Sequence, residues 1–154
     1  MIAGRGQRFL AYMIDGGVYM LIYGITMVAA IILAGVVSAG QVANISNPRV
    51  VDSIIERNMT IAIWISMVFN YLIYFGVQVF FWTKSTSIGK RILRMYVVNK
   101  DTEERVGFFW MLLRETVGKF LSGLVCYLGF IWILFDDNRQ GWHDKIVSSV
   151  VIKE

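Results

Sequence analysis

The feature that most constrains this chain is an apolar run over residues 9–37, in which Asp15 is the sole charged side chain. A helix of about twenty apolar residues crosses the hydrocarbon layer of a bilayer, and this run is longer than that. We therefore predict a membrane span over residues 9–37. A carboxylate there costs at least about 2.5 kcal/mol on insertion scales, so Asp15 must be protonated, paired, or turned toward protein or water.

Arg8 stands at the edge of this run, seven residues before Asp15. Seven residues make nearly two helical turns, so the two side chains share one face and can share charge through a polar intermediary. Gly17 and Gly24 lie on an adjoining face, where small side chains let another helix approach, which predicts that Asp15 points into the protein. We interpret Arg8 and Asp15 as candidates for ligand binding or ion coupling; the alternative is a structural polar contact.

The composition indicates one small membrane domain over residues 1–154. The chain is 56% hydrophobic and 17% charged, against about 25% charged in soluble domains. Its net charge of +4 comes from basic residues beside apolar segments, which favours contact with anionic lipid over binding to nucleic acid. The single Cys126 excludes an intrachain disulfide, and His143 has no cysteine or histidine cluster around it, so we predict neither a metal site nor a cofactor.

A polar linker over residues 38–58 separates the first run from the next apolar segment. It contains the only proline, Pro48, which predicts a short amphipathic helix over residues 48–57 with Asn47 as its N-cap. We interpret the rest of the linker as an exposed loop.

The second predicted span covers residues 59–82 and carries a polar stripe. Side chains spaced four residues apart follow one slowly winding helical face; they are Ser66, Asn70, Tyr74 and Gln78. Asn70 is near the middle of the membrane, and Gln78 matches the depth of Asp15 best. Both are candidate ligands, and the alternative is hydrogen bonding that joins helices.

A basic segment follows the second span. Lys90, Arg91 and Arg94 fall on a predicted short helix over residues 87–94, and we interpret them as a basic surface that faces the cytoplasm under the positive-inside rule. Residues 95–98 and residues 146–152 are rich in β-branched side chains, which indicates two strands.

The third apolar region covers residues 106–135 and contains Arg114, Glu115 and Lys119, with Glu115 and Lys119 spaced to pair on a helix. If the region crosses the membrane once, 10 Lys and Arg lie inside and 5 outside; if it bends back, the numbers are 13 and 2. The bent arrangement fits better and brings both strands to one side. We predict an all-α membrane protein with two full transmembrane helices, a bent helical hairpin or third span, and a small cytoplasmic two-stranded β pair.

Several short motifs recur in an order that resembles the RDD family of small bacterial membrane domains, named for one arginine and two aspartates. They are residues 7–15 with Arg8 and Asp15, residues 85–93 with Gly89-Lys90-Arg91, Val97-Val98, Arg114-Glu115, Trp132, Phe135-Asp136, His143-Asp144-Lys145 and Val150-Val151. The resemblance covers the chain almost from end to end.

The resemblance implies that Arg8 and Asp15 are the first two signature residues and that Asp144 is the second aspartate, with Asp136 and Asp137 as poorer matches. For the family, transport of unidentified ligands has been proposed, and some members are linked to cation/proton antiport. The implied function is therefore a membrane protein with a role in transport or cation/proton coupling. The alternative is a non-transporting assembly or docking module for a protein or lipid partner.

The remaining expectations follow from the same features. The sequence places no nucleophile, base and orienting carboxylate together, so we do not expect an enzyme. Two or three spans are too few to enclose a pathway, which predicts a homo-oligomer or a membrane protein partner. The resemblance implies the bacterial inner membrane, and the charge distribution predicts that the N-terminus lies in the cytoplasm.

Overall fold

A computed structural model describes residues 1–124 and 128–154, so Cys126 and part of the third apolar region lie outside the described residues. The elements in chain order are α1 (Arg5–Val42), α2 (Pro48–Trp82), α3 (Ile88–Ile92), β1 (Met95–Asn99), α4 (Phe108–Leu113), a π-helix (Arg114–Gly118), α5 (Lys119–Leu124), α6 (Leu128–Ile131), a 3-10 helix (Trp132–Leu134), α7 (Trp142–Ile146) and β2 (Ser149–Lys153).

Within the described residues, α1 and α2 are the helices that are each long and apolar enough to cross a membrane. Both predicted spans are confirmed, but the helices are longer than predicted. Asn47 caps α2 as expected, since its Oδ1 accepts from the Arg49 backbone N–H at 3.1 Å. The predicted helix start at Pro48 is confirmed, but the exposed loop is shorter than predicted, because α1 continues to Val42 and no residue that breaks a helix separates residues 48–57 from the second span.

The third apolar region is bent. Its first arm is α4 to α5, and its second arm is α6 with the 3-10 helix. The two arms lie at 107° to each other, and together they are long and apolar enough to form a broken span or a re-entrant loop. The two arms pack closely at Gly129, where an added Cβ would lie 2.5 Å from the Cα of Ser122. The predicted bent hairpin or third span is therefore confirmed.

The described chain forms two compact units, and the first consists of Met1–Gly16 and Val77–Glu154. Within it, β1 and β2 pair in antiparallel register, with Val97 opposite Val151, and both of these side chains are fully buried. The N-terminal segment adds a hydrogen bond from the Ala3 N–H to the Val151 carbonyl at 2.9 Å. The predicted two-stranded pair is confirmed, and Thr86 anchors it through a 2.9 Å hydrogen bond from its hydroxyl to the Met95 carbonyl.

The second unit is Gly17–Gly76. Near its polar end, the Asn58 amide donates to the Ser38 hydroxyl at 3.0 Å. A Cβ added at Gly17 or Gly24 would meet nothing within 4 Å. The close helix approach that we predicted at these glycines is therefore wrong for the described residues, since neither position is crowded.

Candidate functional site

Asp15 is a buried carboxylate that accepts hydrogen bonds from three neutral groups of the described chain. The Ser87 hydroxyl donates to Oδ2 at 2.6 Å, the Gly89 backbone N–H donates to Oδ1 at 2.8 Å, and the Gln78 amide lies 3.5 Å from Oδ1. Asp15 therefore points into the protein, and its predicted contact with Gln78 is confirmed. The hydroxyl and the backbone donor from the start of α3 were not predicted.

Gly89 is the residue that lets α3 reach Asp15. A Cβ at Gly89 would lie 2.0 Å from the carbonyl oxygen of Ala11, which is itself buried in α1. The backbones of α3 and α1 are therefore in direct contact, a distance that glycine alone permits. This contact brings the Gly89 N–H and the Ser87 hydroxyl onto the Asp15 carboxylate.

Arg8 binds Asp144. The Arg8 guanidinium donates to the carboxylate of Asp144, in α7, and to the carbonyl of Arg139. The expectation that Arg8 shares charge with Asp15 through a polar intermediary is wrong, because the C-terminal segment folds back over the start of α1. This long-range contact leaves no trace in local residue spacing.

Asp144 is fully buried and is held by two guanidinium groups. Arg114 donates to its Oδ1 through Nε at 2.8 Å, and the Gly141 N–H donates to its Oδ2 at 3.1 Å. Burial alone would raise the pKa of the Asp144 carboxyl, but Arg114 and Arg8 outweigh burial and hold that pKa well below its usual range. The Asp144 carboxyl therefore stays ionised between these two guanidinium groups.

Glu115 is the second anion of the cluster and joins three bases. Lys90 Nζ lies 3.0 Å from Glu115 Oε1, and both Arg114 and Lys119 also contact this carboxylate. The predicted pair of Glu115 with Lys119, one turn later, is confirmed. We call Arg8, Lys90, Arg114, Glu115, Lys119 and Asp144 the charge cluster.

The placement of Lys90 on a basic surface is wrong, since this residue is only 9% exposed, while Arg91 and Arg94 are exposed as predicted. The contact of Gly89 with α1 turns the next side chain inward. Burial lowers the pKa of Lys90 from 10.5 to about 8; Glu115 opposes this shift, and Arg114 and Lys119 add to it.

Arg114 and Glu115 belong to a π-helix, Arg114–Gly118. One-turn π-helical insertions occur frequently at functional sites. From the sequence alone, these two residues had a place in the resemblance but no role in a site. The missed signal was their position inside an apolar region, which is the argument that singled out Asp15.

Ser122, His143 and Asp144 lie side by side, as in a hydrolytic triad, but the geometry is that of a packed core. Ser122 is completely buried, and its hydroxyl donates to the Gly118 carbonyl at 2.8 Å and accepts from the His143 N–H at 3.1 Å. Burial lowers the pKa of His143 to about 3, although the Asp144 charge opposes this effect. A hydroxyl without access to solvent or substrate cannot serve as a nucleophile.

The remaining sequence candidates lie outside the charge cluster. Asn70 belongs to the second unit, is 1% exposed, and has no hydrogen-bond partner for its amide among the described residues. Asp136 pairs with Lys145 at 2.5 Å, whereas Asp144 is buried. Among the described residues, no group of three or more His, Cys, Asp or Glu side chains could hold a metal ion.

The fold and the buried charges define a membrane protein with two long apolar helices, a bent third region and a small sheet. A model of the RDD family matches residues 2–148, and the chain therefore belongs to the RDD family. No solved structure matches it.

Three similar proteins match between 54% and 97% of the chain. It is 26% identical over 152 residues to the proline-rich antigen homolog of Mycobacterium tuberculosis, a match that covers 94% of this chain and 60% of that protein. It is 31% identical over 158 residues to the uncharacterized protein YxaI of Bacillus subtilis, covering 97% and 96%. It is also similar to the uncharacterized membrane protein YteJ of Bacillus subtilis, with 25% identity over 84 residues.

Proposed function

We propose that this protein couples proton movement to transport across the membrane and that Lys90, paired with the Glu115 carboxylate, is the group that exchanges the proton. The observation that carries the proposal is the buried contact of Lys90 with Glu115 at 3.0 Å. A lysine whose pKa is about 8 releases and regains its proton close to physiological pH. Buried ionisable groups whose pKa is shifted by burial and by a charged partner are candidates for functional sites.

This proposal moves the exchanging group away from Asp15. Both oxygens of Asp15 accept hydrogen bonds from the neutral groups of Ser87, Gly89 and Gln78, whereas Lys90 forms an ion pair with Glu115. The proposal also favours a proton over a metal cation as the coupled ion. Within the described residues, the charge cluster holds four bases against two carboxylates, which repels a further cation.

Two further features support a transport role. The charge cluster is built around a π-helix in a bent span, and broken helices supply binding sites in many transporters. Because the chain offers two or three spans, the proposal includes a homo-oligomer or a membrane protein partner to complete the pathway. It also includes the inner membrane, a cytoplasmic N-terminus, contacts with anionic lipid, and no catalytic activity.

A second candidate function is a non-transporting assembly or docking module. It is favoured by the contacts of Asp144 with Arg8 and Arg114, which hold the C-terminal segment against the start of α1. In that case, the buried charges stabilise the fold and move no proton.

The test is proton flux into proteoliposomes that hold wild-type protein or the Lys90→Arg variant. We expect Lys90→Arg to lower the flux by at least about tenfold, because arginine keeps the positive charge but does not release its proton below about pH 12. Lys84→Arg is the matched control, since Lys84 is an exposed lysine in the same unit. Equal assembly of all proteins in detergent is checked by size-exclusion chromatography with light scattering.

An Asp15→Asn variant separates the two candidate exchanging groups. Loss of flux in Asp15→Asn with normal flux in Lys90→Arg would assign coupling to Asp15 and overturn the present assignment. No flux from well-assembled wild-type protein would reject proton coupling and favour the docking module.

A further inference from the structure

A cleft of about 480 Å³ lies in the first unit, beside the charge cluster. Its lining combines basic side chains with apolar and aromatic ones. The basic residues of the lining are Arg5, Arg8, Lys90, Arg114 and Lys119.

The charges around the cleft do not balance. Five bases stand against the carboxylates of Asp15, in the lining, and of Glu115 and Asp144, which pair with those bases. Two positive charges therefore remain in excess among the described residues. Such an excess favours an anion with one or two negative charges.

Arg5 and Lys119 are the groups best able to bind that anion. Arg5 is exposed, has no ion-pair partner among the described residues, and uses one N–H to reach the Ile133 carbonyl at 3.2 Å. Lys119 contacts Glu115, but its side chain is 30% exposed, and an ammonium group has two further donors. Arg5 belongs to none of the buried ion pairs, and Lys119 can donate to a ligand while its ammonium stays on Glu115.

The apolar wall continues onto surface that faces lipid. Phe9 and Tyr12 lie on α1 and are 66% and 57% exposed. The Tyr12 ring contacts that of Phe130, on the second arm of the bent region, at 6.5 Å between centroids. A ligand with apolar tails can therefore enter from the bilayer, whereas a small soluble anion would leave this wall uncovered.

We propose that this cleft binds an anionic phospholipid, with its phosphate on Arg5 and Lys119 and its acyl chains along Phe9, Tyr12 and Phe130. The inference goes beyond proton coupling, because the site exists whether or not Lys90 exchanges a proton. It also differs from general attraction to the basic surface formed by Arg91 and Arg94, which lie outside the cleft.

The experiment is a native mass spectrometry titration of the delipidated full chain in detergent with phosphatidylglycerol, phosphatidylcholine or inorganic phosphate. We expect one phosphatidylglycerol to bind to each chain. The variant Arg5→Gln with Lys119→Gln should weaken this binding by about tenfold or more, since each basic residue near an anionic lipid contributes about 1 kcal/mol. The variant Arg91→Gln with Arg94→Gln removes the same charge outside the cleft and should retain the binding within about twofold.

Phe9→Gln tests the apolar wall without changing any charge, and it should weaken the binding of long-chain phosphatidylglycerol. Equal binding of phosphatidylcholine, competition by inorganic phosphate at the concentration of the lipid, or an equal loss from both double variants would overturn the inference. Phosphatidylglycerol binding without proton flux would retain this site and reject the proposed function, and flux without binding would do the reverse.

Discussion

Asp15, Glu115 and Asp144 are all buried carboxylates, but the groups that hold them differ. Neutral hydroxyl, amide and backbone donors reach Asp15, whereas lysine and arginine side chains surround Glu115 and Asp144. The donors of Asp15 come from the segment around α3, so this carboxylate fixes the backbone there. Any change of protonation in one member of the charge cluster is felt by the others, because they interact at short range in a medium of low dielectric constant.

His143 gives a prediction that rests on its burial. Because its pKa falls from 6.5 to about 3 in the folded protein, the unfolded chain binds a proton that the folded chain refuses between these values. The contribution of His143 to the free energy of unfolding should therefore be complete above pH 6.5. It should decrease as the pH falls, by up to about 1.4 kcal/mol per pH unit. Between pH 6.5 and 4, this decrease comes from His143 and not from Asp144, because the Asp144 carboxyl loses its stabilising charge at lower pH.

The measurement is an NMR titration of the tag-free protein in detergent, where the only histidine of the sequence gives one set of ring signals. We expect no titration of the ring between pH 7.5 and 4.5. A midpoint near 6.5 in the folded protein would contradict the buried, neutral state. The His143→Gln variant supplies the matched unfolding experiment, and its stability should depend less on pH in the same window.

Among single residues, the sequence predicted those that stand out from their neighbours along the chain. Asp15 stands out because a carboxylate in an apolar run requires a partner, and Gln78 matches it by depth. Lys90 was misplaced and Arg114 was given no role, because both positions depend on contacts distant in sequence. The decisive contacts are that of Gly89 with Ala11 and that of the C-terminal segment with Arg8.

At the scale of elements, the packing of α3 on α1 positions the site, and Gly89→Ala tests it. The new Cβ would lie 2.0 Å from the backbone oxygen of Ala11, which cannot yield as a flexible side chain does. We expect a loss of about 1 to 3 kcal/mol in unfolding free energy, typical of overpacking. Gly6→Ala is the control: its Cβ meets nothing within 4 Å, so a stabilisation of up to about 1 kcal/mol is expected from helix propensity.

Unfolding of both variants in detergent with increasing denaturant would measure the two effects. Equal stability of Gly89→Ala and wild type would mean that α3 does not contact α1 as described. A loss of the same size in Gly6→Ala would mean that any added methyl group destabilises the protein, whether or not it meets the backbone of another helix.

The strands were easier to predict than the ends of the helices. The β-branched runs gave β1 and β2 to within a few residues, because such side chains suit a buried ladder. The extent of α2 was misjudged because the polar residues after Pro48 look like a short separate helix, although they are good enough helix formers to continue the apolar helix outward. Polarity alone therefore does not end a helix.

At the scale of the whole molecule, the pairing of β1 with β2 constrains the topology. The two strands flank the third apolar region and share backbone hydrogen bonds, so both ends of that region lie on one side of the membrane. The bend of 107° between its arms agrees with this arrangement. The distribution of 13 Lys and Arg on that side against 2 on the other predicts, by the positive-inside rule, that this side is the cytoplasmic one.

Cysteine labelling in intact cells tests this arrangement. After Cys126→Ser, single cysteines are introduced by Lys100→Cys after β1, Lys153→Cys in β2 and Ser46→Cys between α1 and α2, all at exposed positions. A reagent that does not cross the membrane should label the Ser46→Cys protein in intact cells and the other two only after permeabilisation. Because strand pairing requires β1 and β2 to be on the same side, labelling of the Lys100→Cys and Lys153→Cys proteins from opposite sides would reject both the bent third region and the sheet.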